Sequence, residues 1–247
     1  MRNPLLTLLL LVLVAAGANA NDSFRSAHRA QALLGSDVWS QIIKIENTSR
    51  GGLYPASLHA LVFELEGILW FYSDLNGTQS FSLHRNRLAE EKADFAPLLR
   101  DIEPGFVRWT VVAAGPTEGL LEHPVQELRN GCFIESYAML RRLVARGVEV
   151  SEPRLLSYYA RQSGNGQGHT VLAYAVPGQV VVIDPVQPEV KRGFSAALAA
   201  NPQKLARALL GPEVKHARVL PLAVPVSPSV RDLLASYDSN RAVAIYY

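Results

Sequence analysis

Apolar residues form one uninterrupted run at the start of the chain and shorter, periodic runs after it. The first run extends from Leu5 to Ala16 behind Arg2, and the small-residue stretch 17–20 follows it. A positive start, a short apolar core and small residues are the layout of a cleaved secretory signal. The run is shorter than the roughly 20 residues that cross a bilayer, so we expect cleavage after Ala20. This predicts an exported, bacterial-type protein, periplasmic or secreted, with no stable membrane insertion after cleavage.

The region 21–115 mixes two periodicities, which predicts an N-terminal α/β region of unknown role. Apolar residues recur at three- and four-residue spacing from Asp22 to Ile45, which is typical of a helix. Two strands around Glu66-Gly67 follow and form a predicted hairpin, and Asn76-Gly77 is a second turn signal. The expected elements after residue 45 are strands 60–65, 68–72, 79–83 and 107–113 and a short helix 95–102.

The region 116–247 contains the clearest helix pattern. In residues 131–146, the apolar positions Phe133, Tyr137, Leu140 and Val144 share one face, and Gly147 is a good stop. The other predicted elements are helices 151–160 and 194–210, a loop 164–168, a hairpin 169–176 and 180–185 around Pro177-Gly178, and strands 219–226 and 242–247. Together the two regions predict an α+β fold.

Charge and composition exclude some classes of protein. The chain has 24 Lys and Arg against 22 Asp and Glu, a net charge of +2, and no basic run, so we expect no nucleic-acid partner. His59, His84 and His123 lack metal-ligand spacing, so we assign no metal and no cofactor. The aromatic run 70–72 is either a carbohydrate- or peptide-binding face or the packing of a half-buried strand.

Cys132 is the only cysteine of the chain and therefore has no intramolecular disulfide partner. Three interpretations are open: a structural core thiol, a redox thiol that pairs between chains, or a nucleophile. Asn130 and Gly131 precede it at the predicted start of a helix. There, free N–H groups and the positive end of the helix dipole favour a thiolate.

The predicted hairpin brings a histidine and a carboxylate to one face. With a two-residue turn at 177–178, Val171 lies opposite Asp184, and His169 is diagonal to Asp184 on the same face. Diagonal neighbours lie about 7–8 Å apart, within reach of an imidazole and a carboxylate, whereas one more turn residue would separate them.

These residues form a candidate catalytic site. Cys132 is the predicted nucleophile, His169 the base that takes its proton, and Asp184 the group that orients the imidazole. The backbone N–H of Cys132 and the side-chain amide of Gln126 are candidate donors to an oxyanion.

Three short motifs carry a resemblance to a known family. They are Gly-Cys at 131–132 opening a helix that ends at Gly147, Gly-His-Thr-Val at 168–171, and Val-Ile-Asp-Pro at 182–185. They resemble the core of the transglutaminase-like superfamily of papain-related cysteine enzymes, over about residues 120–190.

The resemblance implies a papain/transglutaminase-like core whose nucleophile helix packs on an antiparallel sheet. It also implies thiol-dependent acyl transfer or amide hydrolysis, through a thioester, on a peptide or protein substrate. Two alternatives stay open. The first is a papain-like or leader-peptidase-like cysteine protease, because the position of Gln126, six residues before Cys132, resembles the spacing in those peptidases. The second is a catalytically inactive binding or scaffold protein of the same fold.

Overall fold

The computed structural model describes residues 22–47, 57–75, 77–81, 109–113, 128–162 and 165–225. These residues form an α+β fold with two five-stranded antiparallel sheets and a few helices. The chain divides into two compact units, residues 1–135 and 136–247. The predicted signal segment 1–20, the predicted domain boundary at 115–116, helix 95–102 and strand 242–247 lie outside the described residues.

Within the described part of the chain, no helix is both long enough and apolar enough to cross a membrane.

The first unit contains a helix, α1 (22–34), and one sheet. Helix α1 buries Phe24, Ala27, Ala30 and Leu34, which recur at three- and four-residue spacing on one face. The sheet order is β4-β3-β2-β1-β5. Its strands are β1 (Ser40–Asn47), β2 (Ser57–Leu65), β3 (Ile68–Ser73), β4 (Gly77–Phe81) and β5 (Trp109–Ala113).

The predicted helix from Asp22 to Ile45 is wrong beyond residue 34. Gly35 has a positive φ of 84°, and its N–H donates to the carbonyl of Gln31, which ends the helix. The following β1 buries Ile43 and Ile45 on alternate positions. β-Branched residues with period-two burial suit a strand, and pairing with β2 and β5 overrides the helical spacing.

The second unit contains a sheet of order β10-β6-β7-β8-β9 and three helical segments. The helix that we label α2 (Cys132–Ala145) belongs to this unit from Ser136 onward. The remaining elements are β6 (Ser151–Gln162), β7 (Asn165–Val176), β8 (Gln179–Asp184), β9 (Gln187–Ser195), α3 (Ala196–Ala199), α4 (Pro202–Leu210) and β10 (Val214–Pro221).

The predicted helix 151–160 is wrong, because these residues form most of β6. The Ser-Glu-Pro signal at 151–153 is a β-bulge: the pairing with β7 shifts between Ser151 and Arg154, and Glu152 has a φ of 47°. Pro153 lacks an N–H, so it fits a bulge better than a regular ladder position. The residues that predicted a helix start therefore form the irregular beginning of a long strand.

Two other predictions in the second unit need correction. Residues 165–168 of the predicted loop are paired with β6 and belong to β7. In the predicted helix 194–210, residues 194–195 belong to β9, and the helical part is split into α3 and α4. Strand β10 begins at Val214, earlier than the predicted residue 219.

The hairpins of both sheets and the helix that starts at Cys132 are confirmed. Strands β2 and β3 turn at Glu66-Gly67, and strands β7 and β8 turn at Pro177-Gly178 with Val176 opposite Gln179. Helix α2 ends as predicted: Gly147, with a φ of 72°, donates to Val144, and Val148 donates to Leu143.

The second sheet is buried on both faces of β7 and β8. On one face Val171, Ala173, Val180 and Val182 join a core that includes residues of α3 and α4. On the other face lie Thr170, Leu172, Tyr174 and Ile183, which are also buried. Because successive side chains alternate between faces, the position of each residue in the register decides which core it joins.

Candidate active site

Cys132 is the first residue of helix α2 and is half-buried. The carbonyl of Gly131 accepts the N–H of Glu135 at 2.9 Å, which is the first hydrogen bond of the helix. Gly131 is therefore the N-cap, and the N–H of Cys132 is one of the donors that a helix start leaves without an intrahelical partner.

Residues 128–131, which we call the anchor loop, have little conformational freedom. Gly131 lies so close to Leu128 that an added Cβ would be 2.3 Å from the Leu128 Cβ. Asn130 has a φ of 56°, in the left-handed region that asparagine tolerates better than most residues. The backbone immediately before Cys132 thus depends on the identities of these two residues.

The turn after β3 holds the anchor loop in place within the first unit. The side-chain amide of Asn130 donates to the carbonyls of Asp74 and Leu75 at 3.0 and 3.1 Å. The hydroxyl of Tyr72 donates to the carbonyl of Arg129 at 2.9 Å. Three side-chain hydrogen bonds therefore tie the backbone before Cys132 to β3 and the turn that follows it, and nothing in the sequence indicated these contacts.

The aromatic run 70–72 is packed rather than displayed as a binding face. Phe71 and Tyr72 are fully buried. Trp70 lies 4.5 Å, centroid to centroid, from the ring of Phe133, the residue after Cys132, and its indole N–H donates to the Leu65 carbonyl. This packing supports the start of helix α2 from the side of the first sheet.

Two acids beside the anchor loop have raised pKa values. Burial raises the pKa of the Tyr72 phenol, and the nearby charge of Asp74 adds to the effect. Burial likewise raises the pKa of the Asp74 carboxyl, against which Arg129 acts in the opposite direction. Asp74 Oδ1 is buried without a hydrogen-bond partner among the described residues, so the ionised carboxylate is poorly solvated here.

In the second unit, His169 and Asp184 form a direct pair. His169 Nε2 lies 3.0 Å from both carboxylate oxygens of Asp184. The side chains are 25% and 40% exposed, so the pair is at the surface end of the sheet and not sealed in the core. The diagonal arrangement expected from a two-residue turn is the one observed.

The Asp184 carboxylate is itself held by the chain that follows it. Its Oδ1 accepts the N–H of Val186 at 2.9 Å, within the turn that Pro185 helps to form between β8 and β9. An aspartate that bonds the backbone two residues later has its orientation fixed by the turn. The carboxylate therefore meets the imidazole from a defined direction.

Tyr158 supports the other side of His169. The two residues are paired across β6 and β7, and their rings meet edge to face with centroids 5.5 Å apart. Tyr158 is buried, so the imidazole is packed between a fixed ring and a fixed carboxylate. Such packing restricts ring rotation, which helps to keep one nitrogen directed at Asp184.

Within the second unit, helix α2 contacts β7 through Ser136. Ser136 is completely buried, and its hydroxyl donates to the carbonyl of Thr170 at 3.0 Å. Thr170 follows His169 directly, and its side chain shares a hydrogen bond with Ser157. No pattern in the sequence points to Ser136, because a serine inside a helix has no distinctive spacing.

The structure thus brings together two of the four predicted site residues, His169 and Asp184. Cys132 belongs to the first unit and is the first residue of helix α2, in agreement with the predicted helix start. Gln126 lies outside the described residues, and its role stays a prediction. The described part of the chain contains no group of three or more His, Cys, Asp or Glu side chains that could hold a metal ion.

No protein-family model, curated protein or solved structure matches the chain.

The first prediction concerns the left-handed backbone of Asn130. Asn130→Gly and Asn130→Ala both remove the two side-chain hydrogen bonds, but only alanine adds strain, of about 1 kcal/mol, at positive φ. We expect Asn130→Ala to unfold at lower urea concentration than Asn130→Gly. At the neighbouring Arg129, whose φ is not positive, the order should reverse, because glycine is the more flexible residue in the unfolded state. Equal stabilities at position 130 would contradict the geometry described.

The second prediction concerns the raised pKa of Asp74. A carboxyl whose pKa is higher in the folded than in the unfolded state destabilises the fold once pH rises above the unfolded value. Asp74→Asn should therefore match the wild type near pH 3 and become progressively more stable than it as pH rises above the ordinary aspartate value of 3.8. Urea unfolding at pH 3, 5 and 7 measures this, with the exposed Asp37→Asn as control. A stability difference that falls as pH rises would refute the assignment.

Proposed function

We propose that this protein is an exported thiol-dependent acyl transferase or amide hydrolase that uses Cys132, His169 and Asp184 on a peptide or protein substrate. The observation that carries the proposal is the contact of His169 Nε2 with both oxygens of Asp184, at 3.0 Å. A carboxylate in this position fixes the ring and stabilises the imidazolium that forms when the histidine accepts a proton.

The geometry of the pair assigns the ring atom that exchanges protons. Asp184 engages Nε2, so in this mechanism Nδ1 of His169 takes the thiol proton of Cys132. The sulfur then attacks the substrate carbonyl, an S–C bond forms, and the C–N bond breaks as the amine leaves with the proton from Nδ1. Water or a second amine next attacks the thioester carbon, gives its proton to Nδ1, and the sulfur leaves and recovers the proton.

The place of Cys132 in its helix supports its role as the nucleophile. It follows the N-cap Gly131, so it lies at a helix start, where backbone N–H groups have no intrahelical acceptor and can donate to a substrate oxygen. Its own N–H is a candidate donor to the oxyanion of the tetrahedral intermediate, together with the side chain of Gln126.

The transglutaminase-like core remains the best interpretation of the chain order. The cysteine begins a 14-residue helix, the histidine is on β7 and the aspartate ends the neighbouring β8. Within the proposal, export through the cleaved segment 1–20 places the enzyme in the periplasm or outside the cell. A binding or scaffold protein would need none of the thiol reactivity that follows from this site.

The third prediction tests the thiol. Cys132 is the only cysteine, so the alkylation of the folded chain by iodoacetamide reports on this residue alone. We expect His169→Ala to lower the alkylation rate at pH 6 at least tenfold, because the thiolate loses its cationic partner. Mass spectrometry of the modified chain measures the rate.

The control for this experiment is His216→Ala, which removes an exposed histidine of β10 in the same unit. Its alkylation rate should equal that of the wild type. A thiol that reacts only after unfolding, or the same rate in the His169→Ala and wild-type proteins, would refute the nucleophile and favour a structural cysteine.

The fourth prediction concerns turnover. Incubation of the full chain with a peptide mixture and methylamine should give new carboxyl ends if it hydrolyses amides, or methylamides if it transfers acyl groups. We expect Cys132→Ala to reduce product at least a thousandfold. Asp184→Asn should reduce it tenfold or more while keeping an oxygen that can accept the Val186 N–H, so its unfolding midpoint should stay near that of the wild type.

Asp184→Ala separates the two roles of this carboxylate. It removes the acceptor as well as the charge, and should lose stability in addition to activity. Full activity in Cys132→Ala would exclude thiol catalysis, whatever the other variants do.

A further inference from the structure

A cavity of about 290 Å³ lies within the second unit, beside the His169–Asp184 pair. Its floor includes the buried valines Val171 and Val182, and Asp184 forms part of its wall. Val171 and Asp184 lie on the same sheet face as His169, because side chains alternate along each strand. The cavity is therefore on the side of the sheet that carries the proposed base.

The rim of this cavity contains exposed apolar side chains. Val186, Val190 and Leu210 all line it, and they are three of the six exposed large hydrophobic residues in the described part of the chain. Single exposed apolar residues are ordinary, but a group of them around a cavity marks a surface that binds something apolar.

The volume limits what the cavity holds. Pockets for whole small molecules span about 300–1,000 Å³, so a cavity of about 290 Å³ is at the small end of this range and has room for a large aliphatic side chain. The valine and leucine walls favour an apolar group, since an ion placed against them would lose its hydration.

The polar groups of the rim suit a peptide backbone around that substituent. Arg192 and Gln187 line the cavity, and both carry N–H donors that fit peptide carbonyls. Arg192 also donates to the carbonyl of Leu209 at 3.3 Å, which ties β9 to the end of α4 and shapes the wall.

We propose that this cavity is a specificity pocket for a large aliphatic side chain, such as that of leucine, in the peptide substrate. This inference rests on the proposed function for the choice of a peptide as ligand. Asp184 lines the cavity and also contacts His169, the proposed base. A side chain bound in the cavity therefore holds the adjacent peptide bonds close to His169.

The fifth prediction is tested by binding to the full chain carrying Cys132→Ala, so that no turnover is needed. The probes are acetyl-Ala-Leu-Ala-amide and acetyl-Ala-Ala-Ala-amide, followed by NMR of labelled valine and leucine methyl groups. We expect the leucine peptide to bind at least tenfold more tightly, because its side chain buries more apolar surface. The shifted signals should include Val171 and Val182.

A matched pair of variants locates the binding. Val190→Trp places a large ring at the rim and should weaken the leucine peptide at least tenfold. Val224→Trp changes a residue of similar exposure, 48% against 39%, that does not line the cavity, and should leave binding unchanged. Equal affinities for the two peptides, or equal effects of the two variants, would overturn the pocket.

Self-association is the competing use of this apolar rim. We expect sedimentation of the wild type to show no dimer that depends on Val190. A dimer that Val190→Trp disrupts would mean that a second copy of the chain covers the rim, and it would overturn the proposal. If the leucine peptide binds selectively but Cys132 is unreactive, the proposed enzymatic function is refuted and the pocket is not. If the thiol is reactive and turnover occurs without a preference for leucine, the pocket is refuted and the enzymatic function is not.

Discussion

The two-residue turn at Pro177-Gly178 determines the side-chain arrangement of the second sheet. With Val176 opposite Gln179, the residues of β8 from Gln179 to Ile183 each have a fixed partner in β7, and the face of Asp184 follows from the alternation along the strand. One inserted residue would turn Asp184 to the opposite face and carry Val182 with it. The same register thus fixes both the hydrophobic core and the imidazole–carboxylate contact, so the core and the candidate site depend on one another.

The anchor loop places a comparable constraint on the first unit. A cysteine at a helix start is useful as a nucleophile only if the helix start is held in one position, and local sequence alone rarely achieves this. Here the hydrogen bonds of Asn130 and Tyr72 connect the loop to the strands of a sheet. The half-buried Asp74 beside them is a less favourable feature of the same arrangement, because burial raises the pKa of its carboxyl and its Oδ1 lacks a hydrogen-bond partner among the described residues.

The sequence was most informative where local signals and tertiary pairing agree. The hairpin has turn residues at Pro177-Gly178, the helix Cys132–Ala145 has glycines just before its start and just after its end, and both elements agree with the prediction. The helix predicted from the spacing before Ile45 was wrong beyond residue 34, because the β-branched residues there pair in a sheet. The helix predicted from Ser-Glu-Pro at 151–153 was wrong because similar residues occur at a bulge and at a helix start.

Long-range contacts explain what the sequence could not show about the site. The His169–Asp184 contact could be predicted from the sequence, because the two-residue turn at 177–178 fixes which residues of the two strands lie near each other. By contrast, Asn130 meets the turn after β3 over a separation of more than 50 residues, and Ser136 meets Thr170 over 34. No periodicity within one element specifies such pairs, so only the folded chain reveals which side chains support the site.

The carboxylate of Asp184 accepts hydrogen bonds from a histidine and from the backbone of the turn that follows it. Local opening of that turn, which need not disturb the rest of the sheet, would release the carboxylate and with it the orientation of the ring. In the proposed mechanism, the fraction of molecules competent for proton transfer is then bounded by the population in which this turn is closed. Selection on Pro185, which is not one of the proposed catalytic residues, would in that mechanism act on the catalytic rate through the local conformational equilibrium of the turn.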